Sequence, residues 1–417
     1  MALMASPAWR ATLIGSLYAW QGLVAGFALT AIPNHYAALG ASTAAVGAHV
    51  ATVGLPWIVQ PLWGPVVDRY GGWSMGRRRF WVVLAFLGSL LSLTGLLLVE
   101  DDGTAAALPA ISAVFLLQGA FAALADTATD AMIIDHMPPE RLGAASAVTR
   151  IGFVGGSAAG AVFFAWVLAS HGLRVAVSLL VSAGVLMLLL PLLVREKPGE
   201  RLLSAAVVPR TAGQETWRAS AGGFLAILAS RDSVAWLAGC FAIDAAAAAF
   251  AVPLGVELIQ ARGWTAEALS NAQSAAALTA GTLGALLVGW WTDRQGVRRT
   301  LGFLLGLCAV AHIGAGLLLL ADKPGLVQLG GPAALALSTI VPALVFVALA
   351  PAVMRRSHGA LAATRFAVFM AALNMGSVAG AAASAQLVSA VGLPAVGLAA
   401  GTLYALLAIA WRMRGAS

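Results

Sequence analysis

Two aspartates in the stretch ADTATDAMIIDH are the residues best placed to do chemistry in this chain. Asp126 and Asp130 are four residues apart, so a helix puts both carboxyl groups on one face, with about 6 Å between their Cβ atoms. The surrounding residues are apolar, and an ionisable group at membrane depth costs about 3 kcal/mol or more. Two carboxylates that close in a medium of low dielectric constant do not both ionise cheaply. The pair is therefore a candidate proton-coupling site.

Three further charged residues fall inside apolar segments: Asp244, Arg150 and Arg365. Because such charges usually face a partner or a water-filled cavity, Asp244 is a third proton-coupling candidate and the two arginines are candidate cargo contacts. We expect Arg150 to pair with whichever aspartate is ionised, although both arginines can also serve only to hold helices together. Four uncharged polar side chains inside apolar segments can contact cargo or bond neighbouring helices: Tyr18, Gln21, Gln118 and Asn374.

The elements that carry these residues are predicted to be transmembrane helices. Of the 417 residues, 60% are hydrophobic and 10% are charged, and the mean hydropathy of +0.90 leaves too little polar surface for a soluble fold. Runs long enough to cross about 30 Å of hydrocarbon predict an all-α membrane protein. Twelve such spans lie near residues 11–33, 43–66, 80–99, 107–134, 143–168, 174–194, 233–257, 267–291, 301–320, 328–354, 361–389 and 393–411.

Positive charge gives the predicted orientation. The two termini and the connections after even-numbered spans hold 19 of the 24 Lys and Arg residues. The positive-inside rule therefore places both termini in the cytoplasm. Basic loops that face anionic lipid account for the net charge of +7 without a nucleic-acid partner. The first span lacks a cleavage site, so we expect it to be retained.

A charged motif occurs twice, after the second and the eighth span. The first copy is Gly64-x-x-x-Asp68-Arg69 followed by Arg77-Arg78-Arg79, and the second is Gly289-x-x-x-Asp293-Arg294 followed by Arg298-Arg299. The glycine would allow close helix packing, the aspartate would bond amides at a helix N-terminus, and the arginines would lie at the headgroups. We predict a conformational latch that forms in one state of a transporter and breaks in the other.

The duplicated motif and a long polar connection divide the chain. We expect an N-terminal six-helix half at residues 1–194, a cytoplasmic linker at 195–232 and a C-terminal six-helix half at 233–417. A weaker repeat supports the division, because the Gly143 to Arg150 stretch is similar to the Gly359 to Arg365 stretch.

The duplicated Gly-x-x-x-Asp-Arg motif resembles the loop signature of the major facilitator superfamily. The resemblance covers all twelve spans and implies two pseudo-symmetric halves around a central cavity. Within the superfamily, DRYGGWSMGRRRFW and ADTATDAMIIDHMPPERLGAASA resemble the AmpG-type muropeptide permeases, with Ala125 and Met132 where that group has a glutamine and an aromatic residue. In length the chain resembles a compact branch that includes inner-membrane permeases for ferric siderophores.

The resemblance implies a proton-coupled secondary importer of the bacterial inner membrane that acts as a monomer on a small-molecule cargo. A ferric siderophore is the expected cargo; an anhydro-muropeptide permease and a non-transporting membrane assembly factor are the alternatives. We expect no enzyme, cofactor or metal site, because the six histidines are scattered, the two cysteines lie far apart inside spans, and no phosphate-binding Gly-x-x-x-x-Gly-Lys-Ser/Thr loop is present.

Overall fold

The computed structural model describes residues 6–70, 72–136, 142–206, 230–356 and 362–413. Within these ranges the chain forms long apolar helices joined by short connections. A helix satisfies all of its backbone hydrogen bonds within one segment, which is the requirement that a bilayer interior imposes. Successive spans run in opposite directions, so Pro7, which begins the first helix, and Met413, which ends the last, lie at one end of the bundle, called here the terminal end. The other end is called the distal end.

The first six spans fill residues 7 to 193. Span 1 consists of Pro7–Gly26, a π-helical turn Phe27–Ala31 and Ile32–Ala38. Span 2 consists of Thr43–Val59, a 3₁₀ turn Gln60–Leu62 and Trp63–Arg69. Span 3 is Arg79–Thr94 with a 3₁₀ turn Gly95–Leu98, and a 3₁₀ turn Ala105–Ala107 precedes span 4, Leu108–His136. Spans 5 and 6 together form Leu142–Leu193.

The last six spans begin after residue 230. Span 7 is Arg231–Gln260, and span 8 consists of Ala266–Ala276, a π-helical turn Ala277–Gly281 and Thr282–Gln295. Spans 9 to 12 are Val297–Ala321, Pro324–Arg356, Ala362–Val391 and Leu393–Met413.

The boundary between spans 5 and 6 depends on one glycine. Eleven apolar helices in the described residues are long enough to cross a membrane, and the longest, Val148–Leu193, has 46 residues. A helix of that length would extend about 70 Å, more than twice the hydrocarbon thickness. Gly172 breaks it with φ 78°, a left-handed backbone conformation that glycine adopts without a steric penalty. The predicted all-α fold with twelve spans is therefore confirmed.

Glycines bring span 1 and span 5 into backbone contact. A Cβ on Gly156 would collide with the carbonyl oxygen of Ala19, and a Cβ on Gly160 would collide with that of Leu23. Small residues at four-residue spacing let membrane helices approach this closely. Spans 7 and 11 pack in the same way, where Gly376 and Gly380 lie against backbone carbonyls of span 7. The same contact thus recurs six spans later.

We predict that Gly156→Ala destabilises the protein while Gly155→Ala does not. A Cβ on Gly155 meets no atom within 4 Å, whereas at Gly156 the added carbon must push spans 1 and 5 apart. Overpacking of this kind costs about 1–3 kcal/mol. Thermal unfolding of both purified variants in detergent should show a lowered melting temperature only for Gly156→Ala; equal melting temperatures would contradict this packing.

The distal end is closed by uncharged amides. The Asn34 side chain, at the end of span 1, donates to Ser270 Oγ at 2.8 Å and to Gln273 Oε1 at 2.9 Å. Asn34 and Ser270 are both buried. These bonds join span 1 to the start of span 8, more than 230 residues away in sequence.

A second bond set closes the same end between spans 1 and 7. Gln260, the last residue of span 7, donates through Nε2 to the carbonyl oxygens of Ala37 and Ala41, both at 2.8 Å. Together with Asn34 it forms what we call the distal gate. Hydrogen bonds between neutral groups gain only about 0.5–1.5 kcal/mol each, so such a gate can open without separating charges.

We predict that Asn34→Ala combined with Gln260→Ala opens the distal gate more often. Ser274 lies one turn below the gate, is buried, and its hydroxyl bonds no described group, so Ser274→Cys is a suitable reporter. Both native cysteines are also buried. A membrane-impermeant maleimide should label the reporter several-fold faster in the double variant. Gln386→Ala, which removes an amide facing its own helix, is the control; unchanged labelling in the double variant would contradict the gate.

Candidate functional site

The two aspartates of span 4 face the inside of the bundle. Leu117 is nine residues before Asp126, which is two and a half helical turns and therefore the opposite face of the helix. Leu117 is 55% exposed on the outer surface of the bundle. Asp126 is half-buried and Asp130, one turn further, is exposed on the inner side. The structure thus places both carboxyl groups on one face of span 4, as their spacing predicts.

Side chains from spans 1 and 2 hold the two carboxylates. The Tyr18 hydroxyl donates to Asp130 Oδ1 at 2.5 Å, and Gln60 Nε2 donates to Asp126 Oδ2 at 2.6 Å. Tyr18 and Gln21 also lie within hydrogen-bonding reach of Asp126. We call these five residues the acid cluster. Its donors are neutral, and no described Lys or Arg lies within 4 Å of either carboxylate.

This arrangement is suited to holding a proton. A carboxylate paired with a lysine or arginine is fixed in the ionised form, whereas one paired with neutral donors is free to change its protonation state. The tyrosine has one O–H proton to donate, so it can serve one carboxylate at a time. An apolar layer of Ile14 and Ile133, both buried, lies between the acid cluster and the terminal end of the bundle.

Arg150 does not pair with the aspartates as expected. Its guanidinium lies 5.2 Å from the centre of the Phe346 ring, and it forms no ion pair with a described acid. The physical reason is the direction in which the residue points. Val148 and Gly152, its neighbours on span 5, lie against span 1 at Gly15 and Tyr18, which turns Arg150 towards span 10. Arg150 is exposed and bridges the space between the predicted halves.

The other polar candidates lie apart from the acid cluster. Gln118 is buried and donates to Ser89 Oγ of span 3 at 3.0 Å, and Asn374 of span 11 donates to the Trp57 carbonyl oxygen of span 2 at 3.5 Å. Asp244 lies in electrostatic range of Cys308 and Tyr404, which belong to spans 9 and 12. The Arg365 side chain lies outside the described residues.

The arginines of the first motif copy are anchored rather than spread over the headgroups. Arg78 is buried and its Nε lies 2.8 Å from Asp135 Oδ2, at the terminal end of span 4, while Arg77 Nη1 is 3.8 Å from the same oxygen. Arg79 is 1% exposed and donates to the carbonyl oxygens of Pro191 and Leu192, which end span 6. These carbonyls lack partners within their own helix, so the guanidinium caps it.

Glu196 completes this anchor. Its carboxylate accepts from the backbone N–H groups of Arg78, at 2.8 Å, and of Arg79, at the start of span 3. A negative charge there also interacts favourably with the positive end of the helix dipole. Burial raises the pKa of the Glu196 carboxyl, while the two N–H donors act against that rise.

The second motif copy differs from the first. Arg294 lies 4.4 Å from the ring of Trp290 and Arg299 donates to Gln295 Oε1 at 3.0 Å, both on neighbouring turns of the same stretch, and Arg298 is exposed. A Cβ on Gly64 or Gly289 would meet no described atom within 4 Å, so the close packing expected at the motif glycines stays a prediction. The side chains of Asp68, Arg69 and Asp293 lie outside the described residues.

Sequence reasoning missed several contributing residues. Gln60 is a polar residue beside Pro61 in the interior of span 2, and a polar residue at a helix interruption is a usable signal for a site. Asp135 and Glu196 sit at predicted span ends, where charged residues are common, so nothing in the sequence distinguishes them. Phe346 is one of 15 phenylalanines and carries no signal.

Comparison with known proteins agrees with the twelve-span fold. The nucleoside transporter NupG superimposes with a TM-score of 0.66 at 15% identity over 99% of this chain and 99% of that chain. The human organic anion transporter MFSD10 gives a TM-score of 0.64 at 15% identity over 97% of this chain and 100% of that chain. A D-xylose-proton symporter gives 0.66 at 16% identity over 96% of this chain and 95% of that chain.

At such low identity these likenesses show the fold alone. The family comparison goes further, because the profile described as Major Facilitator Superfamily matches residues 14–364, most of the chain. With its twelve apolar spans and its paired glycine contacts, the chain belongs to the Major Facilitator Superfamily of membrane transporters.

Proposed function

We propose that the protein is a proton-coupled secondary importer of the bacterial inner membrane. It acts as a monomer, with both termini in the cytoplasm and the cargo path between an N-terminal half at residues 1–194 and a C-terminal half at 233–417, joined by a cytoplasmic linker at 195–232. Membership of a transporter superfamily supports transport of a small molecule, and the rest of the proposal depends on the acid cluster.

The acid cluster is the single observation that supports proton coupling best. Asp126 and Asp130 lie at membrane depth, where a carboxyl group is destabilising and usually serves a function. Tyr18 and Gln60 bond to them, at 2.5 Å and 2.6 Å, without neutralising them. A proton therefore has two acceptors inside the bundle and no fixed cation to compete with it among the described residues.

The distal gate supports alternating access. If the terminal end faces the cytoplasm, as the positive charge predicts, the gate formed by Asn34 and Gln260 closes the periplasmic side. The exposed Asp130 and Arg150 then belong to a state whose periplasmic side is closed. The anchor of Arg78 on Asp135 and the motif residues around it remain the proposed latch that holds one of the two states.

A ferric siderophore is the proposed cargo, and the anhydro-muropeptide is the runner-up. Support for the siderophore comes from the resemblance in length to the compact permease branch. The structural neighbours are named for nucleosides, organic anions and D-xylose with protons. They share one fold across different cargoes, which favours no cargo for this chain, while the symporter shows that the fold is compatible with proton coupling.

We predict that Asp126→Asn and Asp130→Asn each abolish accumulation of cargo driven by a proton gradient. Neutralising either carboxyl removes a proton acceptor, but at least one of the variants should still bind cargo and exchange it without a gradient. Uptake of a labelled ferric siderophore into proteoliposomes, with and without an imposed pH gradient, measures both properties. Glu100→Gln, which neutralises an exposed acid in the loop after span 3, is the matched control.

Accumulation by both neutralised variants with wild-type pH dependence would contradict the proposal, and coupling should then be sought at Asp244. A deletion strain tested on siderophores as sole iron source, beside an assay of β-lactamase induction, separates the two cargoes. If the wild-type protein transports neither cargo in proteoliposomes while its deletion still causes a phenotype in cells, a role as a membrane assembly factor is favoured.

A further inference from the structure

Tyr18 lies between the two aspartates of span 4 and Arg150 of span 5. Its hydroxyl donates to Asp130 Oδ1 at 2.5 Å on one side. On the other side a Cβ on Gly152 would lie 3.3 Å from the Tyr18 Cβ, and the Tyr18 hydroxyl is in electrostatic range of the Arg150 guanidinium. The tyrosine therefore lies alongside the one turn of span 5 that carries the arginine.

Arg150 is a cation at membrane depth without a described acidic partner. The Phe346 ring at 5.2 Å supplies only a cation–π contact, which is weaker than a charge-assisted hydrogen bond inside a protein. The guanidinium has five N–H donors in a planar fork, which suits carboxylate, catecholate or phosphate oxygens. Its exposed position leaves these donors accessible from inside the bundle.

We propose that Arg150 binds an anionic group of the cargo and that Tyr18 transmits this binding to Asp130 by changing the acceptor of its hydroxyl proton. The proposal rests on the transport function proposed above and deepens it by assigning the cargo to the anions. In the empty protein Tyr18 donates to Asp130. When an anionic oxygen lies on Arg150, it competes for the same O–H, because a tyrosine can donate only one hydrogen bond.

The consequence for Asp130 is uptake of a proton. A carboxylate that loses its donor beside the second carboxylate of Asp126 is less stable in the ionised form, so a proton from water replaces the lost hydrogen bond. Cargo and proton are thus bound together, which is the requirement for symport. Tyr18 keeps its proton throughout; the one covalent bond formed is the O–H bond of Asp130, whose proton comes from hydronium or a buffer acid in the solvent.

The charged and titratable groups around Asp130 are few. Span 4 itself contributes Asp126 one turn away and, past the apolar layer, Asp135 and His136, while the carbonyl of His136 accepts from Arg10 of span 1. Span 1 contributes Tyr18 and span 5 contributes Arg150, and the nearby Gln60 of span 2 is neutral. Only Tyr18 contacts Asp130 and lies in range of the arginine, so the coupling has one route among the described residues.

The test is calorimetric binding to the full-length wild-type protein in detergent at about pH 7, in two buffers of different ionisation enthalpy. The probes are a trianionic ferric tricatecholate, an uncharged ferric trihydroxamate of similar size and an anhydro-muropeptide with free carboxylates. We expect an anionic probe to bind with uptake of about one proton per complex, which the difference between the two buffers reports. The uncharged complex should bind at least about tenfold more weakly and without proton uptake.

Two variants separate the roles of the residues. Arg150→Gln should weaken binding of the anionic probe at least about tenfold. Tyr18→Phe should still bind the probe but without proton uptake, because Asp130 lacks a donor before the cargo arrives and is already protonated. A purely structural role for Tyr18 would not separate binding from proton uptake in this way. Arg174→Gln and Tyr70→Phe, at exposed positions away from the acid cluster, are the matched controls.

Three outcomes would overturn the proposal: undiminished proton uptake in Tyr18→Phe, unchanged anion affinity in Arg150→Gln, or binding of none of the anionic probes. Each is distinguishable from failure of the proposed function. If proteoliposomes accumulate an uncharged cargo and this accumulation requires Asp130, the proton-coupled importer is supported. The proposed coupling of anion binding at Arg150 to Asp130 is then rejected. Loss of gradient dependence in the wild type would reject both.

Discussion

The polar side chains of the acid cluster find their hydrogen-bond partners on other spans, because the bilayer offers none. The Tyr18 to Asp130 bond is the clearest case: a hydroxyl of span 1 and a carboxylate of span 4 satisfy each other at 2.5 Å. Gln60 does the same for Asp126 from span 2. No Lys or Arg of the described residues pairs with either acid, so in the proposed mechanism proton and cargo binding set the charge of the pair.

Close packing of small residues makes these bonds possible. Span 5 presses against span 1 at Gly156 and Gly160, and the same approach holds Tyr18 beside span 5. Spans 7 and 11 repeat the contact with Gly376 and Gly380, but no acid pair accompanies it there. The helix packing is therefore duplicated between the predicted halves, while the acid cluster belongs to the first of them. The two copies of the charged motif also differ. Arg78 and Arg79 bond to residues of other spans, whereas Arg294 and Arg299 contact neighbouring turns of their own stretch.

Much of the fold can be predicted because hydrophobicity along the chain reports directly on the bilayer. The twelve spans follow from runs of apolar residues, and the shared face of Asp126 and Asp130 follows from their spacing on a helix. The hydrogen-bond partners on other spans cannot be predicted from hydrophobicity and spacing, since they depend on how each helix is rotated about its axis. The hydroxyl of Tyr18 and the amide of Gln60 meet the acids for that reason, and Arg150 turns to Phe346 instead of an aspartate. The close packing expected at Gly64 and Gly289 stays a prediction, since a contact made in one conformation need not exist in another.

Infrared difference spectroscopy on reconstituted protein tests most directly whether the acid cluster binds the transported proton. The carbonyl stretch of a protonated carboxyl group is resolved from the bands of ionised carboxylates, so a pH titration of the wild type reports when the cluster gains its proton. We expect a protonated-carboxyl band that appears as the pH falls through the working range of the transporter and is missing in Asp130→Asn. An identical band in wild type and Asp130→Asn would contradict a coupling role for the cluster.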